Sequence, residues 1–234
     1  MRHTSVMARV WKLHCLLIAL AAVLVPIESA LAQDRERGIE VSILWSTFFG
    51  GDSGPTVPGA PIEPRMRYQD TFGSGIGLTA HYFRQIHPVW RWQVGVIYQN
   101  WPGQYFEGGE FQPGWQFGAG GQFDDLTITG VYGGFTAIRQ PGVKLRPFAA
   151  IDLAVVNLSE LGVVVNGENQ PYWKSTIKDY LLIRGGVAYE ISESTALTFH
   201  AGFSVLGQPE RESIFASGTA ASALVVGIGA SHLF

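Results

Sequence analysis

Apolar residues alternate with polar or small residues, with a period of two, in eight separate segments of the chain. The segments are 38–49, 72–84, 90–101, 125–139, 144–157, 178–191, 195–206 and 220–234. In the first, an apolar set from Ile39 to Trp45 occupies one parity, opposite Glu40 and Ser42. Because successive side chains of a β-strand point to opposite faces, this pattern predicts eight strands with one apolar face each. The glycine-rich fourth segment alternates least cleanly and is expected to hold a β-bulge.

The connections between these segments alternate in length. Long ones fall at 50–71, 102–124, 158–177 and 207–219, and short ones fall at 85–89, 140–143 and 192–194. That alternation is typical of an up-and-down barrel whose termini and short turns share one side of a membrane while the long loops lie on the other. The segments are also longer than the usual strand of a soluble protein, about 5–6 residues. The sequence therefore predicts an all-β chain that folds as an eight-stranded antiparallel up-and-down transmembrane β-barrel.

The N-terminal residues have the features of an export signal. Arg2, Arg9 and Lys12 precede an apolar run at 13–25, and Ala30-Leu31-Ala32 provides a cleavage site. The run is too short to span a bilayer as a helix, which needs about 20 residues. Three segments are therefore expected: a cleaved signal peptide at 1–32, a short periplasmic segment at 33–37 and the barrel at 38–234.

Composition narrows the functional classes. Removal of residues 1–32 leaves 13 basic and 18 acidic residues, a formal net charge of −5, which does not favour nucleic-acid binding. The single cysteine, Cys15, lies in the expected signal, so the mature chain should contain neither disulfides nor thiol chemistry. No later segment has 18 continuous apolar residues, which argues against a helical membrane protein.

The last strand carries a family resemblance. Phe234 ends the chain, and apolar residues precede it at alternate positions: Ala230, Ile228, Val226 and Leu224. With this ending, residues 38–234 resemble the small outer-membrane β-barrel superfamily and are similar in layout to the transmembrane domain of OmpA-like proteins. His232 departs from the aromatic or aliphatic residue usual at its place. The resemblance implies location in the bacterial outer membrane and insertion by the barrel-assembly machinery through this strand.

Charged residues on the inward parity predict an ion-paired lumen. An eight-stranded barrel is only wide enough for its own side chains, and buried charges must be paired. In the fifth and sixth segments, Asp152 with Arg184 and Arg146 with Glu190 share one residue-number sum, 336, so a single antiparallel register places both pairs directly opposite each other. The favoured interpretation is a structural core. The alternative is a narrow ion or small-solute channel gated by Asp152 and Arg184.

Further inward residues extend this network. A turn centred near residue 193 places His200 opposite Gly186 and diagonal to Arg184, in the middle layer of the barrel. Glu40 and Arg91 are expected to form a second layer nearer the turn end, together with Arg146 and Glu190.

Catalytic chemistry has little support in the sequence. His200 and Ser204 share a strand face but lie about 13 Å apart at the usual strand rise. His81 with Thr79 has no third member that would complete a triad. Residues 33–234 contain no His-x-Ser pair like that of lipid A deacylase barrels, although a lipid-modifying enzyme is kept as a third alternative. We expect no catalytic residues, no cofactor and no metal ligands.

The second long connection is rich in aromatic residues. The set considered as a contact surface is Trp101, Tyr105, Phe106, Phe111, Trp115 and Phe117. Such residues either fold back over the barrel mouth as a self-packed cap or bind a partner. The expected partners are outer-membrane lipids including lipopolysaccharide, the insertion machinery, and an extracellular protein or glycan at the loops. The predicted role is structural or surface-interacting, with a lumen largely filled by side chains.

Overall fold

Eight long antiparallel strands close on themselves because each carries backbone donors and acceptors on both edges and finds a neighbour on each side. The computed structural model describes residues 37–53, 67–106, 121–139, 144–165, 167–210 and 219–234. The predicted signal peptide at 1–32 and the segment at 33–36 lie outside these residues. No helix in the described ranges is long and apolar enough to cross a membrane.

The elements follow in chain order. They are β1 (Arg37–Gly50), α1 (Tyr68–Thr71), β2 (Gly75–His87), β3 (Trp90–Trp101), β4 (Tyr105–Phe106), β5 (Gly121–Phe123), β6 (Leu126–Ile138), β7 (Leu145–Leu158), β8 (Leu161–Val165), β9 (Glu168–Trp173), β10 (Thr176–Glu190), β11 (Thr195–Leu206) and β12 (Ala221–Leu233). The barrel order is β1-β12-β11-β10-β7-β6-β3-β2, with β1 and β2 also paired, and β4-β5-β8-β9 form a second sheet from the long connections.

The predicted eight-stranded barrel is confirmed. Strands β3 and β11 have the predicted bounds, whereas β2 begins at Gly75 and not at residue 72, because the one-turn helix α1 and the buried Phe72 precede it. The prediction of a β-bulge in the fourth segment was wrong. Strand β6 pairs in continuous register with both neighbours. Its glycines instead provide space, since a Cβ on Gly134 would overlap the side chain of Asp152.

The outer wall is apolar, the reverse of a soluble barrel. Large hydrophobic side chains on the outward parity of the strands are exposed, among them Leu153 at 68%. Aromatic rings lie near both rims of this belt: Trp90, Tyr189 and Phe234 at the turn end, and Trp45, Phe49 and Tyr98 at the loop end. An apolar belt bounded by aromatic girdles is the surface that a transmembrane barrel presents to lipid.

The interior has two halves. Toward the turn end it contains buried polar and charged side chains, whereas toward the loop end it is a continuous hydrophobic core to which the barrel strands and the long connections both contribute. The ion-paired core that the sequence predicts therefore occupies the turn-end half of the lumen, and the apolar loop-end half was not predicted. The strands show the reason: beside outward Trp45 the inward residue is Leu44, and beside outward Val226 it is Val225.

Candidate functional site

The strand register between β7 and β10 differs from the predicted one by two residues. Asp152 pairs with Leu182 and Arg184 pairs with Ala150, so the residue-number sum is 334 and not 336. A shift of two preserves which face each side chain occupies. The long arginine side chain then reaches its carboxylate diagonally, with Arg184 Nε 3.3 Å from Asp152 Oδ2.

The second predicted ion pair, between Arg146 and Glu190, also forms diagonally. Arg146 lies opposite Ala188, and its Nε is 2.9 Å from Oε1 of Glu190, which lies diagonally beside it. Arg146 is buried while Glu190 is partly exposed. The structure thus brings together both of the predicted charge pairs, in a register that the sequence did not predict.

Asp152 is held by neutral side chains as well as by arginine. Gln93 Nε2 on β3 donates a hydrogen bond to Asp152 Oδ1, and Thr136 Oγ1 on β6 donates to Gln93 Oε1 at 2.8 Å. The bonds join the three neighbouring strands β3, β6 and β7 on the lumen side of the wall, and Gly134 leaves the room that the carboxylate needs. Charge pairing and hydrogen bonding together make burial of this carboxylate tolerable.

Glu40 forms a second polar centre nearer the turn end. Its Oε1 accepts hydrogen bonds from Ser42 Oγ at 3.1 Å and from Thr198 Oγ1 at 3.2 Å. On the neighbouring strand, His81 Nδ1 shares a 2.8 Å hydrogen bond with the hydroxyl of Tyr132. The second predicted member of this layer, Arg91, is buried with its guanidinium 4.8 Å from the ring centre of Phe83.

His200 lies opposite Gly186, as predicted. It is buried, and among the described residues neither ring nitrogen has a hydrogen-bond partner. A Cβ on Gly227 would overlap this imidazole, so the small residue makes room for the large one. The ring therefore has no hydrogen bond to Ser204, and the described residues contain no group of three His, Cys, Asp or Glu side chains that could hold a metal ion.

A small cavity lies between these polar centres and the turn end. Its volume is about 20 Å³, which is room for about one or two water molecules. The charged residues in its lining are Glu40, Arg91, Arg146 and Arg184. Below it, Ile138 packs with small side chains of β10 and β11 in a separate apolar cluster. The site can hold a small polar species but not an organic solute.

The loop-end half is closed by aromatic side chains that we call the mouth cluster. Its members are Phe48, Tyr68, Phe72, Trp101, Phe123, Tyr172 and Trp173. Neighbouring rings have centroids 5.0 to 6.3 Å apart in tilted or edge contacts, the geometry that aromatic pairs favour. Strands β1 and β3 contribute one ring each, and the remaining rings come from the long connections.

Hydrogen bonds link the long connections above this cluster. The Tyr172 hydroxyl donates to the carbonyl of Ser53 at 2.8 Å, and the Tyr68 hydroxyl donates to the carbonyl of Thr219 at 3.1 Å. Burial raises the pKa of both tyrosine hydroxyls, so they stay protonated and able to donate. Gly51, with φ at +96°, begins the first connection in a conformation that glycine adopts without strain.

The predicted aromatic contact surface is divided by the structure. Trp101 is 1% exposed within the mouth cluster, so its assignment to a contact surface was wrong. Tyr105 is 61% exposed, and Phe106 follows it in β4. Phe111, Trp115 and Phe117 lie outside the described residues. Phe48, Tyr68, Phe72, Tyr172 and Trp173 could not be recognised as mouth residues from the sequence, because they are scattered over one strand and two connections with no local periodicity to join them.

The C-terminal strand joins the two ends of the barrel sheet. Strand β12 pairs with β1 and β11 and so closes the barrel. Its alternate apolar residues face outward: Leu224, Val226, Ile228 and Ala230. Phe234 is exposed, its backbone N–H donates to the carbonyl of Arg37 at 3.0 Å, and Arg37 Nε donates to the Phe234 carbonyl oxygen at 3.3 Å.

No family model and no curated sequence matches the chain. Among solved structures, Neisserial surface protein A (NspA) matches 86% of this chain and all of its own at 11% identity, with a TM-score of 0.50. The chain has the fold of a small outer-membrane β-barrel. The outer membrane protease OmpT of Escherichia coli has a TM-score of 0.49 at 8% identity, and the match covers 89% of this chain and 99% of OmpT. The outer membrane protein AlkL has a TM-score of 0.49 at 11% identity, and the match covers 88% of this chain and 94% of AlkL. Both TM-scores lie just below that of NspA. At such identities the likeness concerns fold alone.

Proposed function

We propose that this small β-barrel resides in the bacterial outer membrane with a structural or surface-interaction role, and that it does not conduct solutes. The observation that carries this proposal is the closure of the lumen at two levels. The Asp152–Arg184 layer crosses its middle, and the mouth cluster fills the loop end. Breaking the ion pair alone would leave the second closure in place, which disfavours a channel gated by that pair.

Planar-bilayer recordings test this assignment. The wild-type barrel and the double variant Asp152→Asn with Arg184→Gln, which removes both charges and shortens the longer side chain, are both expected to leave conductance at baseline. Lysate proteins from a strain without the gene provide the insertion control. Steady single-channel openings in the wild type would contradict the proposal. Openings in the double variant alone would favour the gated-channel alternative.

Three surfaces of the barrel support three kinds of partner: the apolar belt, the loops and the C-terminal strand. The apolar belt supports contact with lipid acyl chains, including those of lipopolysaccharide. The extracellular protein or glycan remains a proposal for the loops, where Tyr105 is the exposed aromatic residue in the described part of the long connections. The four connections at 51–74, 102–125, 159–175 and 207–220 contain 11 acidic and 4 basic residues. This excess of negative charge disfavours a polyanionic glycan as the partner.

The third partner is the insertion machinery. Deletion of Phe234 is expected to lower the amount of barrel in the outer membrane, because it removes the terminal aromatic residue and the carbonyl that accepts from Arg37. Heat-modifiable migration of outer-membrane fractions measures the folded amount. Val226→Leu, which keeps an apolar residue facing lipid on the same strand, is the control. Equal folded amounts in all three proteins would refute a role of Phe234 in assembly.

A further inference from the structure

The cavity at the turn end has an unusual balance of charge. Three arginines line it, Arg91, Arg146 and Arg184, against a single carboxylate, Glu40. The carboxylates of Asp152 and Glu190 pair with two of these arginines but do not belong to the lining. With these two pairs counted, three arginines face three carboxylates, and arginines outnumber carboxylates only in the lining of the cavity itself.

Arg184 shows that this excess has donors to offer. It is 4% exposed, and its contact with Asp152 is made through Nε. Among the described residues its buried Nη1 atom has no hydrogen-bond partner. A buried donor without a partner costs about 1–3 kcal/mol, more when the group is charged, so an acceptor in the cavity would be stabilising.

We infer that the cavity binds a small inorganic anion of chloride size, held by the arginine side chains within the turn-end half of the lumen. The volume of about 20 Å³ suits a monatomic anion and is too small for a sulfate or an organic acid. Ile138 and Phe148 give the cavity apolar lining toward the turn end, and apolar surroundings strengthen the attraction between an anion and the guanidinium groups. The anion would accept a hydrogen bond from the Arg184 Nη1 donor, which has no partner among the described residues.

Bromide, which resembles chloride and scatters anomalously, is the probe. Crystals of the wild-type barrel grown in sodium bromide are expected to show an anomalous peak inside the cavity, within hydrogen-bond distance of an arginine. A data set with peaks only on the outer surface would overturn the inference. This measurement needs no variant and does not depend on the conductance of the barrel.

A solution measurement adds a matched comparison. The ³⁵Cl linewidth of a chloride solution is expected to broaden with the wild-type barrel in detergent, and added bromide should reverse the broadening. The double variant Asp152→Asn with Arg184→Gln, which leaves no uncompensated buried charge, should bind about tenfold more weakly or worse, since a hydrogen bond to a charged group is lost. Arg139→Gln, at an exposed position, is the control and should bind as the wild type does. Equal broadening in all three proteins would contradict the inference.

Discussion

Asp152→Asn is expected to destabilise the barrel by about 3–5 kcal/mol, because it leaves the guanidinium of Arg184 buried without its carboxylate. Both side chains are at most 3% exposed, so bulk water cannot compensate the charge that remains. Removal of both charges, by adding Arg184→Gln, should recover most of this loss, since a buried neutral pair has no uncompensated ion. Urea unfolding in lipid vesicles, followed by heat-modifiable gel migration, measures these differences.

The rim of the barrel offers a matched control. Lys178 Nζ lies 3.3 Å from Glu210 Oε1, the same separation as in the buried pair, but the glutamate side chain is 63% exposed. Glu210→Gln should therefore cost no more than about 1 kcal/mol. Equal losses in the Asp152 and Glu210 variants would show that Arg184 finds a second carboxylate, for which Glu40, on the lining of the same cavity, is the candidate.

The buried ion pairs also show which features of the lumen could be predicted from the sequence. Inward charges at 146, 152, 184 and 190 were recognisable by parity alone, because a period of two assigns each residue of a strand to a face. The register was not recognisable, because directly opposite and diagonal arrangements satisfy the same charges. A residue-number sum tests for opposite pairs only, so it favoured 336 where the strands adopt 334.

The sequence contains a signal for the apolar, loop-end half of the lumen. Where a strand alternates against lipid on one side and water on the other, only one parity is apolar. At the loop ends both are: Leu44 beside Trp45, and Val225 beside Val226. Consecutive apolar residues of this kind indicate a strand that is buried on its inner face as well as facing lipid on its outer face. The mouth cluster has no such local signal, because its rings come from separate connections that meet only in the folded barrel.

Trp173→Ala is expected to open the mouth cluster while leaving the barrel wall intact. The indole is fully buried, and its ring centroid lies 5.5 Å from that of Tyr172, 5.7 Å from Tyr68 and 6.1 Å from Phe72. Truncation of a buried tryptophan to alanine costs about 3–5 kcal/mol through lost contacts and the cavity left behind. Since the side chain joins the third connection to the first, the loss should fall mainly on the connections.

Hydrogen exchange distinguishes this local effect from global unfolding. The backbone amides of Phe72 and of Lys174, which bond to carbonyls of other residues in the connections, are expected to exchange about 100-fold faster or more in the variant, as a loss of about 3 kcal/mol requires. Amides in the middle of β11 and β12 should keep their protection, because those strands are held by neighbours on both sides. Tyr105→Ala, at an exposed position, should change neither set. Equal acceleration in strands and connections would show that the mouth cluster is a required part of barrel stability and not a separate closure above it.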